Sequence, residues 1–345
     1  SLAQLLLSKG ADINQCLDDG SSPLHASCFR GHESIVQYLL KNGADLDLCD
    51  IDGSGPLYRA SQFGHENTVR ILLDNNANVN SCTKIGASPL YGACENGQVD
   101  VVQLLLNRGA EVNLSVLDGN SPLLIACQNG HHTTVQVLLN SGADLNLCNK
   151  KGCSPLYASC FKGHDKIVEC LLNNGAEVDI CKRNGEGPLY IACQNGHDSI
   201  VNYLVTKGSN VNLCTKNGRS PLYAASFDGH YSTVELLLKN GADVNVLTKN
   251  GTGPLYASCE SAHAKTVQIL LNHGDEVNLP GNDGKSPLFV ACLNGFEDIV
   301  QLLLDNGASS NITTDDGISP LDIACEKGHT IIADMLRKNV AESKF

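Results

Sequence analysis

The chain has 345 residues, 42% of them apolar and 18% charged, with 37 acidic against 24 basic side chains and a net charge of −13. That balance lacks the basic footprint on which general nucleic-acid binding depends, and no apolar run approaches the roughly 18 residues of a membrane-spanning helix. Length alone would suggest two globular domains, but one spacing overrides it. Pro23, Pro56, Pro89, Pro122, Pro155, Pro188, Pro221, Pro254, Pro287 and Pro320 follow one another at intervals of 33 residues. A fixed period of this length marks one supersecondary unit stacked on copies of itself, each repeat touching only its neighbours.

In chain order, residues 1–16 read as the trailing half of a repeat, with Leu2, Leu5, Leu6 and Leu7 on a second helix that has no first helix beside it. With no initiator Met, the chain is expected to be a fragment, with more repeats or another domain before Ser1. Ten units follow over 17–345, starting near 17, 50, 83, 116, 149, 182, 215, 248, 281 and 314.

The unit 149–181 shows the local logic. Ser154-Pro155 reads as a helix start, because a hydroxyl can accept from an orphan N–H and proline suits the first helical position. Leu156, Ser159 and Cys160 fall on one narrow face, and Gly163 supplies the left-handed residue that ends the helix. Ile167, Val168, Leu171 and Leu172 form the stripe of a second helix, which Asn174-Gly175 stops. A polar turn, Lys182-Arg183-Asn184-Gly185, then projects before the next proline. In the last unit Ala333 and Arg337 take the places of Val36 and Leu40, as expected of a C-terminal cap.

The recurring G-x-S-P-L-Y-x-A-C-x-x-G-H-x-x-x-V-x-x-L-L-x-N-G-A-x-V-N resembles the ankyrin repeat, and the resemblance runs from residue 1 to about residue 340. It implies an all-α solenoid of helix-turn-helix units with projecting β-hairpin-like loops, in one curved, right-angled stack. The family's Thr before proline is Ser in seven repeats and Gly in three (Gly55, Gly187, Gly253). Its His survives only at His25, replaced by Tyr58, Tyr91, Leu124, Tyr157, Tyr190, Tyr223, Tyr256, Phe289 and Asp322. Tyrosines stacked in that place are expected to supply the missing inter-repeat hydrogen bonds. The Gly-His turn loses its histidine at Gln98 and Phe296 and its glycine at Ala262, so repeats 3, 8 and 9 are expected to be irregular. The repeat-end Asn or Asp is expected to bond the following turn, and the resemblance makes the eight asparagines possible hydroxylation sites.

The sixteen cysteines follow the repeat. Eight lie five residues after a repeat proline (Cys28, Cys94, Cys127, Cys160, Cys193, Cys259, Cys292, Cys325) and six close a repeat (Cys16, Cys49, Cys82, Cys148, Cys181, Cys214). Only Cys153 and Cys170 fall outside both registers. Stacked helices sit about 8–10 Å apart, too far for disulfides between equivalent positions. Small, buried, reduced thiols are therefore expected, and with them a cytoplasmic or nuclear location. No CxxC pair supports a metal site.

No P-loop, GxSxG or HExxH occurs, and the Gly-His histidines recur too often to form one asymmetric catalytic cluster. The sequence thus points to a non-enzymatic interaction scaffold without cofactor, metal or small-molecule substrate, binding a protein or extended peptide in the concave groove that the resemblance implies. The alternative is a recruiting module of a larger enzyme or channel whose functional domain precedes residue 1. Two sets of residues are candidate contacts. Lys150, Lys151, Lys182, Arg183, Lys216, Arg219 and Lys249 make a basic stripe across the loop tips of repeats 5–8, suited to an acidic or phosphorylated segment. Phe29, Phe63, Phe161 and Phe227 sit just before the Gly-His turns, as aromatic anchors. By contrast repeats 1 and 2 carry Asp18, Asp19, Asp50 and Asp52, and repeat 10 carries Asp315 and Asp316.

Overall fold

The structure is a computed structural model that describes Leu5 and residues 8–342. Apart from Leu5, the leucine-rich helix expected over residues 2–7 lies outside the described residues. Among those described, twenty helices and no strand are found. The chain divides into two units, residues 1–177 and 178–345.

The first unit holds α1 (Pro23–Phe29), α2 (Glu33–Lys41), α3 (Pro56–Gln62), α4 (Glu66–Asp74), α5 (Pro89–Glu95), α6 (Val99–Asn107), α7 (Pro122–Asn129), α8 (His132–Asn140), α9 (Pro155–Lys162) and α10 (Asp165–Asn173). The second holds α11 (Pro188–Gln194), α12 (Asp198–Thr206), α13 (Pro221–Phe227), α14 (Tyr231–Lys239), α15 (Pro254–Glu260), α16 (Ala264–Asn272), α17 (Pro287–Asn294), α18 (Glu297–Asp305), α19 (Pro320–Glu326) and α20 (Thr330–Glu342). Within each unit, first helices pack on first helices and second on second.

A helix of seven to nine residues does not persist alone in water, so burial must hold these. Leu156, Ser159, Cys160, Ile167, Val168 and Leu171 are all essentially inaccessible, as the periodicity of that repeat requires. Repeats 3, 8 and 9 keep the helix lengths of the others. Their irregularity is confined to Ala262, held at φ 64°, where the other repeats place glycine.

The reason for that glycine lies in the next repeat. The Nε2 of His65 donates to the carbonyl of Phe29 at 3.0 Å, and His131, His230 and His263 make the same bond to Glu95, Gln194 and Phe227. Each ring lies against the preceding repeat's turn glycine: a Cβ on Gly97 or Gly196 would come within 2.5 Å of the His131 or His230 ring. At Ala262 the next repeat carries Phe296 where most repeats place histidine; Gln98, the other exception, still faces a glycine, Gly64.

Further ties cross at nearly the same separation. The Oδ1 atoms of Asn14, Asn80, Asn113 and Asn146 accept from the backbone N–H of Asp45, Glu111, Asp144 and Glu177, 31 residues on. Asn212 and Asn245 do the same to Asp243 and Glu276 in the second unit. His25 keeps the family's link, with Nε2 donating to the Ser54 carbonyl at 2.8 Å. Two of the six tyrosines that replace it, Tyr91 and Tyr190, lie near a side chain of the next loop, Asn120 and Arg219. The projecting loops form no strands, but neighbours share single backbone bonds, such as Ile51 N–H to Asp19 O at 2.9 Å and Lys249 N–H to Asn217 O at 2.9 Å.

The seven serines before proline cap their helices, accepting from the N–H three residues on, whereas Gly55, Gly187 and Gly253 offer no side-chain cap. Twenty-two residues after a capping serine stands alanine, as at Ala44, Ala110, Ala143, Ala176, Ala242 and Ala308; after the three glycine caps the same position holds Ala77, Ser209 and Asp275. The Asp275 carboxyl lies near the Leu255 N–H in the first turn of α15, the helix whose glycine cap offers no side chain. Burial pushes this carboxyl up to about 7 against the opposing pull of that N–H, and Oδ2 is buried with no partner.

The thiols divide by register. Cys28, Cys94, Cys127, Cys160, Cys193, Cys259 and Cys292 are buried, and burial raises the Cys28, Cys127 and Cys292 thiols to about 12. The expectation of burial fails for the repeat-closing set, where Cys49 and Cys82 are exposed and Cys16, Cys148, Cys181 and Cys214 partly so. These lie past the second helix, in the solvated turn. Cys325, in the last first-helix α19, is exposed as well.

Gly196→Ala should destabilise the second unit by about 1–3 kcal/mol, read as a lower urea midpoint, because it meets both φ 67° and the His230 ring. For Asp275 the folded carboxyl titrates above its unfolded value, so its contribution is complete below about pH 4 and is lost as pH rises through about 7. Asp275→Asn should accordingly raise the urea midpoint at pH 8 and leave it close to wild type at pH 4.

Candidate functional site

Each repeat presents its loop tip to solvent, and in repeat 7 Arg219 and Phe227, two residues before the proline and six after it, are exposed with the buried Tyr223 between them. These three side chains form a column. The Arg219 guanidinium lies 5.5 Å over the Tyr223 ring, and Tyr223 stacks on Phe227 at 6.4 Å with the planes 9° apart. The i, i+4 spacing of a helix sets that alignment.

Beside the column, a cleft of about 500 Å³ is lined by Arg219, Tyr223, Asn250, Thr252, Tyr256, Glu260, Asn282 and Asp283. A smaller pocket, which adds Asn217, Thr248 and Lys249, adjoins it at the loop tips. The cleft is bipolar, with Arg219 and Lys249 toward one side and Glu260 and Asp283 toward the other. Lys285 sits 2.7 Å from Asp283. Burial works against ionisation of Asp283, but the hydrogen bonds from Lys285 prevail and hold its carboxyl below the usual range.

The basic tips fall into both units. Lys150 and Lys151 are exposed in the first; Arg183, Lys216, Arg219 and Lys249 are exposed in the second. Lys182 is half-buried and paired with Glu186 at 2.8 Å. The phenylalanines are exposed to a similar degree, 41–46%. Phe29 and Phe63 meet edge to face, centroids 4.5 Å apart, with Arg30 5.5 Å over Phe29. Lys162 lies 5.3 Å over Phe161. Phe29 and Arg30 also line a cleft of about 420 Å³ with Leu17, Asp19, Ser21, His25, Ala26 and Arg59.

Of the acidic tip residues, Asp50 is not available: it is buried and gripped by Arg59 at 2.6 Å. Burial alone would raise its carboxyl, but the Arg59 bond and the Ser54 and Asp52 N–H groups hold it low. Sequence reasoning missed a second set of tip residues, Leu17, Ile51, Ile85 and Leu117, all strongly exposed. Their signal was an aliphatic residue within three positions before the turn glycines Gly20, Gly53, Gly86 and Gly119, where later repeats place polar side chains.

Among the described residues, no group of three or more His, Cys, Asp or Glu could hold a metal ion. No helix among them is long and apolar enough to cross a membrane.

A family model described as ankyrin repeats (3 copies) matches residues 1–83, 42–116, 90–181, 172–248, 189–280, 223–314 and 255–344. The crystal structure of the human ASB11 ankyrin repeat domain is similar at a TM-score of 0.60 with 28% identity, over 65% of this chain and 99% of that one. No curated protein matches. Ankyrin repeats are in general protein–protein interaction modules without catalytic activity. Matched from end to end, and built of helix pairs whose turn histidines lock onto the glycines of the repeat before, the chain belongs to the ankyrin repeat family.

Proposed function

We propose that this chain is a non-enzymatic scaffold that holds a protein or extended peptide against its loop tips and first helices, with an acidic or phosphorylated segment over the basic tips of repeats 5–8. The observation that carries the reading is the Arg219–Tyr223–Phe227 column beside the cleft. It sets an exposed guanidinium beside the half-exposed Phe227 ring, the combination from which binding hot spots are built, with the buried Tyr223 ring between them. Arg183, Lys216 and Lys249 extend the positive field along neighbouring tips, in a chain that is otherwise acidic. Lys150, Lys151 and Phe161 are the matching elements of repeat 5.

The charge boundary inside the cleft gives the ligand a direction. Acidic or phosphorylated residues sit toward Arg219 and Lys249, and the segment turns neutral or basic where it reaches Glu260. All sixteen cysteines are free and seven of them are core residues, an arrangement suited to the reducing cytoplasm or nucleus.

Titration of the whole protein with a labelled glutamate-rich peptide, and with a phosphoserine version, should give an affinity that falls as salt is raised. Replacing Arg183, Lys216 and Lys249 by Glu should weaken it about tenfold or more, and Phe227→Ala should weaken it without changing the salt dependence. Unchanged affinity in the charge-reversed protein would overturn the reading.

A further inference from the structure

The smaller pocket at the tips of repeats 7 and 8 differs in charge from the cleft it adjoins. Its volume is about 240 Å³, and two cations line it, Arg219 and Lys249. The hydroxyls of Tyr223, Thr248 and Thr252 and two asparagine side chains complete the lining, with no carboxylate among them. Glu260 and Asp283 line the larger cleft and not this pocket.

The pocket's donors are fixed by the fold. Lys249 is tied through its backbone to both neighbouring tips: its N–H donates to the Asn217 carbonyl at 2.9 Å, and its carbonyl accepts from the Asn282 amide at 2.8 Å. The Arg219 guanidinium is seated 5.5 Å over the Tyr223 ring. The hydroxyl oxygens of Thr248 and Thr252 lie 2.7 Å apart, and Thr248 Oγ1 also accepts from the Thr252 N–H at 3.2 Å. The two hydroxyls carry two hydrogens and the bond between them uses one, so the other is left to donate.

Charge and donor type together select a ligand. A carboxylate brings one negative charge and two oxygens. A phosphate monoester brings about −1.5 to −2 charges near neutral pH and three terminal oxygens. The monoester balances both cations and offers a separate oxygen to the guanidinium, the ammonium and the hydroxyl. A long polyanion fits less well, because a nucleic acid or an anionic membrane laid over the pocket would also meet Glu260 and Asp283. One phosphorylated side chain on a peptide avoids both carboxylates.

We propose that this pocket is a phosphate-monoester subsite that receives a single phosphorylated side chain of the bound segment. The inference rests on the scaffold reading above and deepens it: phosphorylation at one position, more than overall acidity, selects the segment.

The test uses the whole protein and three fluorescent peptides of one acidic sequence, with serine, glutamate or phosphoserine at a single central position. Anisotropy titration at constant ionic strength should show the phosphoserine peptide binding at least about tenfold more tightly than the glutamate peptide. Lys249→Gln and Thr252→Val should each lower that ratio to about threefold or less, with circular dichroism melts checking the fold of both. Lys249 is exposed, so its substitution keeps the test intact if loss of the Thr248–Thr252 bond disturbs the loop. Inorganic phosphate should displace the phosphoserine peptide, but only at much higher concentration than the unlabelled peptide does. Equal affinity for the phosphoserine and glutamate peptides, or a ratio that neither substitution lowers, would overturn the subsite and leave the scaffold reading standing. Inorganic phosphate binding as tightly as the peptide would overturn it too, because free phosphate would then be the ligand. Failure of all three peptides to bind would sink both readings.

Discussion

Every feature of this protein depends on one constraint: a first helix of seven or eight residues has no stability of its own and must be completed by its neighbour. Completion is more than apolar burial. The backbone carbonyls at the end of one first helix are satisfied by the turn histidine of the next repeat, and the ring that does this occupies the space a side chain would need on the preceding turn. Glycine is therefore required twice over, for its positive φ and for its missing Cβ. At Ala262, followed by Phe296 in place of histidine, both positions depart together, whereas Gln98 replaces histidine and leaves Gly64 in place.

The helix starts rest on local caps: a serine beside the proline accepts from the N–H three residues on. Where the cap is Gly253, the buried Asp275 carboxyl lies near the uncapped first turn, with Oδ2 unpartnered. Replacement of the family's histidine by tyrosine changes the neighbour. Tyr91 and Tyr190 lie near side chains of the next loop, Asn120 and Arg219, where His25 reaches a backbone carbonyl. At Tyr190 the neighbouring side chain is Arg219, a loop-tip arginine that also lies over the Tyr223 ring.

Because the frame is made by residues that repeat, the loop tips and the outward positions of the first helices are free to differ. They do so in blocks: aliphatic and acidic in repeats 1–4, basic in repeats 5–8. Tips that share backbone bonds are held in order without relying on the identity of their side chains, which lets the surface vary while the stack stays constant.

Much of this was legible in the sequence. The 33-residue proline period, the Ser-Pro helix starts and the Gly-His turns determined the helix pairs and their order, because local caps and breakers act over a few residues and recur unchanged. The charges of the tips and the aromatic places were legible for the same reason. What the tertiary structure decided is which of these side chains remain available: Asp50 is consumed by Arg59, Lys182 by Glu186, and Arg219 is set between Tyr190 and Tyr223. It also decided that the repeat-closing cysteines lie in the solvated turn, and that Leu17, Ile51, Ile85 and Leu117 stay exposed. Arg59 reaches back nine residues to Asp50 and Glu186 four to Lys182, but which partner a side chain finds depends on how each loop folds against its helix and its neighbour, which spacing alone does not encode.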